Sequence, residues 1–386
     1  MTTRILRSVA VCALATALVA PATANPPVAA LTVVGELTST PGNIAVAADG
    51  TIYLSMHPFG ASPQRVLSMS PTSTAAAATQ FLPAPTPAWS GPPGPDGIGI
   101  HSIIGIKCTP DGTLWMLDMG NLGQPNGTPP KLIAWDTVKN QLDRVIHIPA
   151  PASKSSSFLQ DMAIDTLRNR VYIADCGIGA GFDNATPAIV VVDLETGASR
   201  RVLENHPAVK AEPDAEMVID GTPVTALKPD GTKTQPRVGI NPITIDHRNQ
   251  WVYFGAMHGR TVYKVRAEHL ADATLSDESL GAHIQRHGPK GVSDGISIDT
   301  AGNIYVTDVT NHAIGVLTPD GRYRLHVQDK NLLTWPDGMS AGPDGNFYVV
   351  VNQLHLHAAL NAGNAATTPP FRVVRFTPLS PAVLGR

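Results

Sequence analysis

A hairpin pattern that recurs six times is the feature that most constrains the fold of this chain. Each copy has a short apolar strand, a turn rich in Asp, Gly or Asn, and a second strand that carries an aromatic residue. The copies begin at residues 44, 104, 162, 243, 296 and 339. Their turns, such as 110–112 and 343–345, supply residues that tolerate the positive φ of a tight hairpin. A third strand and often a fourth follow, so the pattern predicts repeated four-stranded sheets.

Repeated four-stranded sheets predict an all-β fold, a six-bladed β-propeller with antiparallel blades. A large β-sandwich would not require six copies of one hairpin, and no long amphipathic helix supports a parallel α/β fold. We expect strand 31–37 to share a sheet with strand 371–376, since this pairing leaves no blade with an open edge. Residues 208–238 form an insertion with a hairpin expected around 218–221, and 83–95 is read as an ordered Pro/Gly-rich loop.

The first residues have the pattern of an export signal. Arg4 and Arg7 precede an apolar run at 8–20, and Ala22-Thr23-Ala24 has the small residues of a cleavage site. The run is too short to span a bilayer, which needs about 20 residues, and no later stretch is longer, so membrane insertion is not expected. We therefore predict a signal peptide at 1–24, one propeller domain at 25–386, and a secreted or periplasmic location.

Charge and cysteine content narrow the possible partners and cross-links. The net charge is −3 and no Lys/Arg cluster occurs, which argues against binding of nucleic acid. Cys108 and Cys176 remain after signal removal, at opposite ends of strands in adjacent repeats. Because a disulfide requires Cα atoms within about 7 Å, we predict that the two do not pair.

Polar residues occur where each repeat enters its first strand and leaves its second, and in a propeller both ends open on one face. Entry positions carry Asn43, His101, Gln160, Asp161, Asn241, Asp294 and Asp337. Exit positions carry His57, Asp118, Asp175, His258, Asp308, Asn352 and His355. This face predicts an oxygen-rich, acidic pocket for a hard cation or a protonated amine. The alternative is that each Asp forms a turn or holds neighbouring blades together.

Other motifs are sparse. His355 and His357 would share one face of a continuing strand and could ligate a transition metal, but a polar loop at the pocket mouth is the preferred interpretation. The sequence has no Gly-x-Ser-x-Gly, phosphate-binding loop, His-Glu-x-x-His or Cys-x-x-Cys motif, so common hydrolase, nucleotide and zinc mechanisms lack support.

Several strings resemble the major royal jelly/Yellow family. They are Phe158-Leu159-Gln160-Asp161 with Tyr172-Ile173-Ala174-Asp175, Gly239-Ile240-Asn241-Pro242, Ser293-Asp294-Gly295, and Trp335-Pro336-Asp337-Gly338 followed by Asn352-Gln353-Leu354-His355. The resemblance covers about residues 100–378 and implies a secreted propeller. It also implies dopachrome conversion, as claimed for some Yellow proteins, or binding of small amines, as for certain relatives.

A more distant similarity is to the regucalcin/gluconolactonase propellers, which hold an axial divalent metal with a Glu, two Asn and an Asp. Asn241 and Asp294 match one Asn and the Asp, whereas Gln160 stands for the other Asn and Asn43 for the Glu. This similarity implies a metal at Asn241, Asp294 and Gln160, with Ca²⁺ preferred because the ligands are oxygens. Asp294 would then be the catalytic base of a lactonase.

Three hypotheses for function follow. In the first, an exported Yellow-like propeller binds, or isomerises, a small cationic or catecholic ligand on its axial face. The second is a divalent-metal-dependent lactonase or esterase, and the third is a non-catalytic scaffold for a protein partner. The predicted ligand-binding residues are Asp161, Asp175, Asn241, His258, Asp294, Asp308, Trp335, Asp337, Asn352 and His355.

Overall fold

The protein is a six-bladed β-propeller. The computed structural model describes residues 30–60, 62–70, 81–124, 127–228 and 230–386, so the predicted signal peptide at 1–24 lies outside the described residues. Six antiparallel sheets of four strands each are arranged in chain order around the ring. The predicted fold class is confirmed. Within the described ranges, no helix combines the length and hydropathy that crossing a membrane requires.

The strands of each blade are given from the axis outward. Blade 1 has Pro41–Val46, Ile52–Met56, Val66–Met69 and Leu82–Pro83. Blade 2 has Ile103–Cys108, Thr113–Asp118, Lys131–Asp136 and Gln141–His147. Blade 3 has Leu159–Asp165, Arg170–Asp175, Ala188–Asp193 and Ser199–Val202. Blade 4 has Ile240–Ile245, Trp251–Ala256, Thr261–Arg266 and Gln285–Pro289. Blade 5 has Ser293–Ile298, Ile304–Asp308, Ala313–Leu317 and Tyr323–Gln328. Blade 6 has Pro336–Ala341, Phe347–Val351, Phe371–Phe376 and Thr32–Leu37.

Short elements connect the blades. The α-helices are Pro87–Ser90, Ala267–Ala271 and Asp277–Ala282, and the 3₁₀ helices are Pro58–Gly60, Phe182–Asn184, Val309–Asn311, Leu354–Leu356 and Ala358–Leu360. The insertion at 208–238 forms two hairpins. Val218–Ile219 pairs with Thr222–Pro223, as predicted, and Ala226–Leu227 pairs with Lys233–Thr234.

The ring closes as predicted, because the first strand of the described chain lies in the last blade. Thr32–Leu37 runs antiparallel to Phe371–Phe376, with Leu37 opposite Phe371 and Thr32 opposite Arg375. The first described strand thus covers the edge that blade 6 would otherwise expose. Apolar side chains fill the spaces between blades, where Cys108 is buried, and Cys176 is buried among loop residues at one end of the axis. Both are free thiols, in agreement with the prediction of no disulfide.

A β-bulge near the start of every innermost strand directs polar side chains toward the axis. Each pairing of the first two strands shifts register there, as between Ser293 and Ile296 in blade 5 and between Pro336 and Met339 in blade 6. A bulge places two residues opposite one and re-aims the side chain of the extra residue. Asn43, Gln160, Asn241, Asp294 and Asp337 lie in these bulges, and Asp161 directly follows the one in blade 3.

The glycine that follows Asp294 permits close contact between blades 5 and 6. A Cβ atom at Gly295 would lie 2.5 Å from the carbonyl oxygen of Asp337, which is main chain and cannot move aside. We expect Gly295→Ala to lower the free energy of unfolding by about 1–3 kcal/mol, measured by denaturant titration. Gly123→Ala is the matched control, since a Cβ there meets nothing within 4 Å. Equal stability of the two variants would contradict this packing.

Candidate functional site

Three buried carboxyl groups meet at the axis. Asp161, Asp294 and Asp337, here called the axial carboxyls, are each no more than 4% exposed. Asp294 accepts hydrogen bonds from Asn241 Nδ2 at 2.6 Å and from the indole Nε1 of Trp335 at 2.7 Å. Asp337 Oδ2 accepts from Asn352 Nδ2 at 2.5 Å, and the charge of Asp294 acts on the Asp337 carboxyl. The sequence-predicted entry positions therefore do come together.

Few cationic side chains of the described residues lie near the axial carboxyls. Burial raises the pKa of Asp294 to about 6, although the hydrogen bonds from Trp335 and Asn241 oppose the shift. Burial, followed by repulsion from Asp294, raises the pKa of Asp337 well above its ordinary value. With a pKa of about 6, Asp294 is mostly ionised at neutral pH, and its charge opposes ionisation of Asp337.

Lys107 neutralises the third carboxyl. Its Nζ lies 3.4 Å from Oδ1 of Asp161, and both side chains are almost fully buried. Asn43 also donates to Asp161, at 3.3 Å, but burial still outweighs the lysine and raises the pKa of this carboxyl. No Lys, Arg or His in the described part of the chain forms an ion pair with Asp294. Asp294 is thus the carboxylate that lacks a counter-ion.

A layer of apolar side chains covers this end of the axis. Strand ends, the insertion and the loop after Phe347–Val351 contribute to it. The residues of this apolar cap are Cys176, Met217, Ile219, Val224, Val238, Met257, Val292, Val309, Trp335 and Leu354, with Phe59, Phe158, Ile178, Phe182 and Leu360 partly buried against them. The carboxyls of the predicted acidic pocket thus lie beneath an apolar cover.

Between the cap and Asp294 lies a small pocket with one ionised group at its base. Asp294, Asn241, Gln160, His57 and His258 supply its polar lining, and cap residues supply the rest. The solvent-filled space is about 50 Å³. Since one water molecule needs about 10–15 Å³ on this measure, this space holds only a few waters. The pocket is not fully enclosed, so a larger ligand would extend from Asp294 along the cap residues.

Trp335 has a strained backbone that serves the pocket. Its φ is +63°, in the left-handed region, which is a rare conformation for a bulky residue. The side chain is 1% exposed, and its indole N–H donates to Asp294. Strain of this kind persists only where surrounding structure enforces it, and such outliers cluster at functional sites.

Polar contacts fasten the insertion to the blades around it. Asp220 contacts Lys330 Nζ at 2.8 Å and His312 Nε2 at 3.3 Å, and Lys228 pairs with Asp183 at 2.6 Å. We expect the double variant Asp220→Ala/Lys228→Ala to open the cap more often and to speed alkylation of Cys176 by about threefold to tenfold. Peptide mass spectrometry after iodoacetamide treatment measures this rate. Cys108, buried between blades 1 and 2, is the internal control, and equal acceleration of both thiols would indicate global loosening instead.

The remaining predicted residues have different surroundings. His258 lines the pocket, Asn352 bonds Asp337, and His355 stacks on Trp335 with ring centroids 5.9 Å apart. Asp175 and Asp308 lie outside the pocket lining. Asp175 accepts from the main-chain N–H groups of Phe158 and Gly177 and from Arg201.

Asp308 and Asp118 likewise hold strand ends. Asp308 accepts from Thr310, Asn311 and Tyr323, whose hydroxyl lies 2.8 Å away. Asp118 accepts from the main-chain N–H groups that follow the entry loop of blade 2. For these exit carboxylates, the interpretation as turn and blade contacts describes the structure better than ligand binding.

The side chains do not fit the axial metal that the similarity to regucalcin implies. Both oxygens of Asp294 accept N–H donors, and the neighbouring Asn241 and Trp335 present N–H groups toward the carboxylate where a metal would need further oxygen ligands. An indole N–H can only donate. Among the described residues, no three His, Cys, Asp or Glu side chains are grouped so that they could hold a metal ion. No chemistry is therefore assigned to a metal here.

Sequence reasoning missed Lys107 and the cap. A signal for Lys107 was present: it is a charged residue within the otherwise apolar strand Ile103–Cys108. The cap residues come from loops of several blades and share no pattern along the chain, so no signal marks them.

Fold and site together define a β-propeller with a capped axial pocket. Comparison with known proteins identifies the family of this propeller. The family model described as "Major royal jelly protein" matches residues 101–368, and the chain belongs to this family. No curated protein sequence matches it.

Solved structures of similar fold include three propellers with low sequence identity. A luciferin-regenerating enzyme has a TM-score of 0.55 and 12% identity, covering 92% of this chain and 98% of its own. A calcium-binding regucalcin from Agrobacterium tumefaciens has a TM-score of 0.53 and 13% identity, covering 92% and 98%. A gluconolactonase from Xanthomonas campestris has a TM-score of 0.52 and 10% identity, covering 90% and 89%. At these identities the likeness concerns the fold alone.

Proposed function

We propose that this protein binds a small organic amine in the capped axial pocket. The ammonium group occupies the base of the pocket beside Asp294, and the apolar body of the ligand packs against the cap. One observation carries the proposal: Asp294 is a buried carboxylate that reaches the pocket and has no cationic partner among the described residues. A buried charge without a partner is costly, so a ligand that supplies the missing cation gains binding free energy.

The walls of the pocket favour an aromatic body. Phe59, Phe158, Phe182 and Trp335 line the space around Asp294. Aromatic faces attract both other rings and cations. An ammonium group between a carboxylate and an indole therefore forms an ion pair with the first and a cation–π contact with the second. A phenylethylamine, with an amine two carbons from a ring, matches this combination of one anionic base and aromatic walls.

Titration calorimetry at pH 7.5 tests the proposal with two probes of equal shape. We expect 2-phenylethylamine to bind about tenfold to a hundredfold more tightly than 2-phenylethanol, which lacks the positive charge. Equal affinities, or absence of heat with the amine, would show that Asp294 does not receive a cation.

The carboxyl pair also supports a second candidate function, isomerisation of the bound ligand by proton transfer. Asp294 would take a proton from one atom of the ligand and return it to another, while Asn241 and Trp335 hold its carboxylate in place. A pKa of about 6 suits a general base near neutral pH. Turnover of dopachrome followed by absorbance, lost in Asp294→Asn, would favour this function over binding alone.

A further inference from the structure

A second cavity lies between blades 1 and 2, beside the axial pocket and separate from it. Its volume is about 530 Å³, which is in the range of small-molecule sites. Met56, Ile103 and three prolines supply apolar walls, and His57 lines both this cavity and the axial pocket. Among the described residues that line it, Arg65 is the single Arg, Lys, Asp or Glu. The cavity therefore combines apolar walls with one cationic side chain.

The guanidinium group of Arg65 has no counter-ion. Within the described ranges of the chain, no carboxylate forms an ion pair with it. Its Nε donates to the carbonyl oxygen of His101 at 3.0 Å, and its Nη1 donates to the carbonyl oxygen of Ser62. These contacts use two of the five N–H donors of an arginine. They hold the group in place without neutralising its charge.

The equivalent position of blade 2 shows which group is missing beside Arg65. In blade 2, Lys131 lies opposite Asp118 on the neighbouring strand, and the two side chains pair at 3.8 Å. In blade 1, Arg65 lies opposite Met56, whose N–H donates to the carbonyl oxygen of Arg65 at 2.8 Å. Opposite residues of adjacent strands have their side chains on the same face of the sheet. Arg65 thus has an apolar thioether where blade 2 supplies a carboxylate.

The carboxylate of Asp118 does not take the place of the missing group. It accepts hydrogen bonds from the main-chain N–H groups of His101, Ser102 and Gly120, and its ion pair is with Lys131. It also lies outside the lining of the cavity. A partly buried charge beside apolar walls is less screened by water than an exposed one, so an anion that enters the cavity is attracted to Arg65.

We propose that the cavity between blades 1 and 2 binds a small organic carboxylate at Arg65. The guanidinium group donates to the carboxylate oxygens, which match its planar array of N–H groups. The apolar body of the ligand packs against Met56, Ile103 and the prolines. This site does not depend on amine binding in the axial pocket, so either site can fail without the other.

Titration calorimetry with benzoate, benzamide and sulfate tests the ligand class. Benzoate and benzamide have nearly the same shape and differ in charge, and we expect benzoate to bind about tenfold more tightly. Sulfate carries charge but has no apolar body, so it should bind more weakly than benzoate. Absence of heat with benzoate, or equal affinities for benzoate and benzamide, would overturn the proposal. Sulfate bound as tightly as benzoate would overturn the assignment to an organic acid.

Two variants locate the site. Arg65→Met should weaken benzoate by about tenfold and change benzamide by less than about twofold. Met56→Asp supplies the carboxylate that blade 2 has, so it should weaken benzoate similarly while the contacts of Arg65 remain. Arg322→Met is the matched control, because Arg322 is exposed and pairs with Asp320 away from the cavity. Thermal melting confirms that each variant is folded, and benzoate affinity unchanged in both cavity variants would contradict binding at Arg65.

Discussion

Asp294→Asn is expected to weaken binding of 2-phenylethylamine by about a hundredfold at pH 7.5, while leaving the protein folded. The substitution removes the negative charge that the ammonium group requires, and charge-assisted hydrogen bonds contribute about 1.5–3 kcal/mol. The Asn side chain can still accept from Trp335, and the amide of Asn241 can turn to offer its oxygen instead of its nitrogen. Calorimetry measures the affinity, and thermal melting measures the stability.

The melting temperature of this variant should not fall at pH 7. The pKa of Asp294 is about 6 in the folded chain and 3.8 in its ordinary surroundings, so the folded state binds a proton more tightly. The contribution of the Asp294 carboxyl to the free energy of unfolding is complete below pH 4. It decreases by about 3 kcal/mol as the pH rises through 6. A neutral Asn avoids that loss.

Asp337→Asn is the matched control for Asp294→Asn. Because burial and the charge of Asp294 both disfavour ionisation of Asp337, replacing it with a neutral isostere should change amine affinity by less than about threefold. If Asp294→Asn bound the amine as tightly as the wild type, or if the two variants lost affinity equally, Asp294 would not be the counter-ion.

Arg201→Met is expected to lower the free energy of unfolding by about 3–5 kcal/mol, because it leaves a buried carboxylate unpaired. Arg201 Nη1 lies 2.5 Å from Asp175 Oδ2, and these side chains are 6% and 0% exposed. Asp175 keeps its hydrogen bonds from two main-chain N–H groups but loses its only ion pair among the described residues. Urea titration measures the change.

Arg322→Met provides the exposed counterpart. Arg322 pairs with Asp320 at 2.6 Å, with side chains 85% and 52% exposed, so its removal should cost less than about 1 kcal/mol. Folded Arg201→Met protein should also bind 2-phenylethylamine within about twofold of the wild type, since Asp175 lies outside the pocket. A large loss of affinity with unchanged stability would place Asp175 in the site after all.

The fold was predictable because its signals are local. A short apolar strand, an Asp-Gly type of turn and an aromatic strand recur within about 15 residues, and each hairpin follows from turn chemistry and alternation. Ring closure followed from the two strands left over, at 31–37 and 371–376. The second hairpin of the insertion was missed because its strands are two residues long and lack an apolar pattern.

The site was predictable only in part. Asn241, Asp294 and Asp337 were placed correctly on the axis, because the entry of each inner strand lies there whatever the loops do. Asp175 and Asp308 also lie at strand ends on this face, but they accept hydrogen bonds from main-chain N–H groups. The β-bulges near the start of the innermost strands distinguish the axial residues from these two exit carboxylates. The cap depends on loops of unrelated length that meet in three dimensions, so no sequence pattern predicted it.

Charge balance at the axis explains why cation binding is proposed rather than metal catalysis. Lys107 compensates Asp161, and burial together with the charge of Asp294 disfavours ionisation of Asp337, which leaves Asp294 as the carboxylate without a counter-ion. The missing charge is a single positive one beneath an apolar layer. An organic ammonium supplies it and needs only a remaining lone pair of the Asp294 carboxylate, whereas a metal ion needs several oxygen ligands, and Asn241 and Trp335 present N–H groups to this carboxylate.

The affinity of the wild-type protein for 2-phenylethylamine as a function of pH tests this claim most directly. The amine stays protonated throughout, so any change between pH 4.5 and 8 reports the protein. Because the amine needs Asp294 ionised and its pKa is about 6, affinity should rise about tenfold per pH unit below 6 and level off above 7. Affinity that stays constant across this range, or increases on acidification, would contradict a cation held by Asp294.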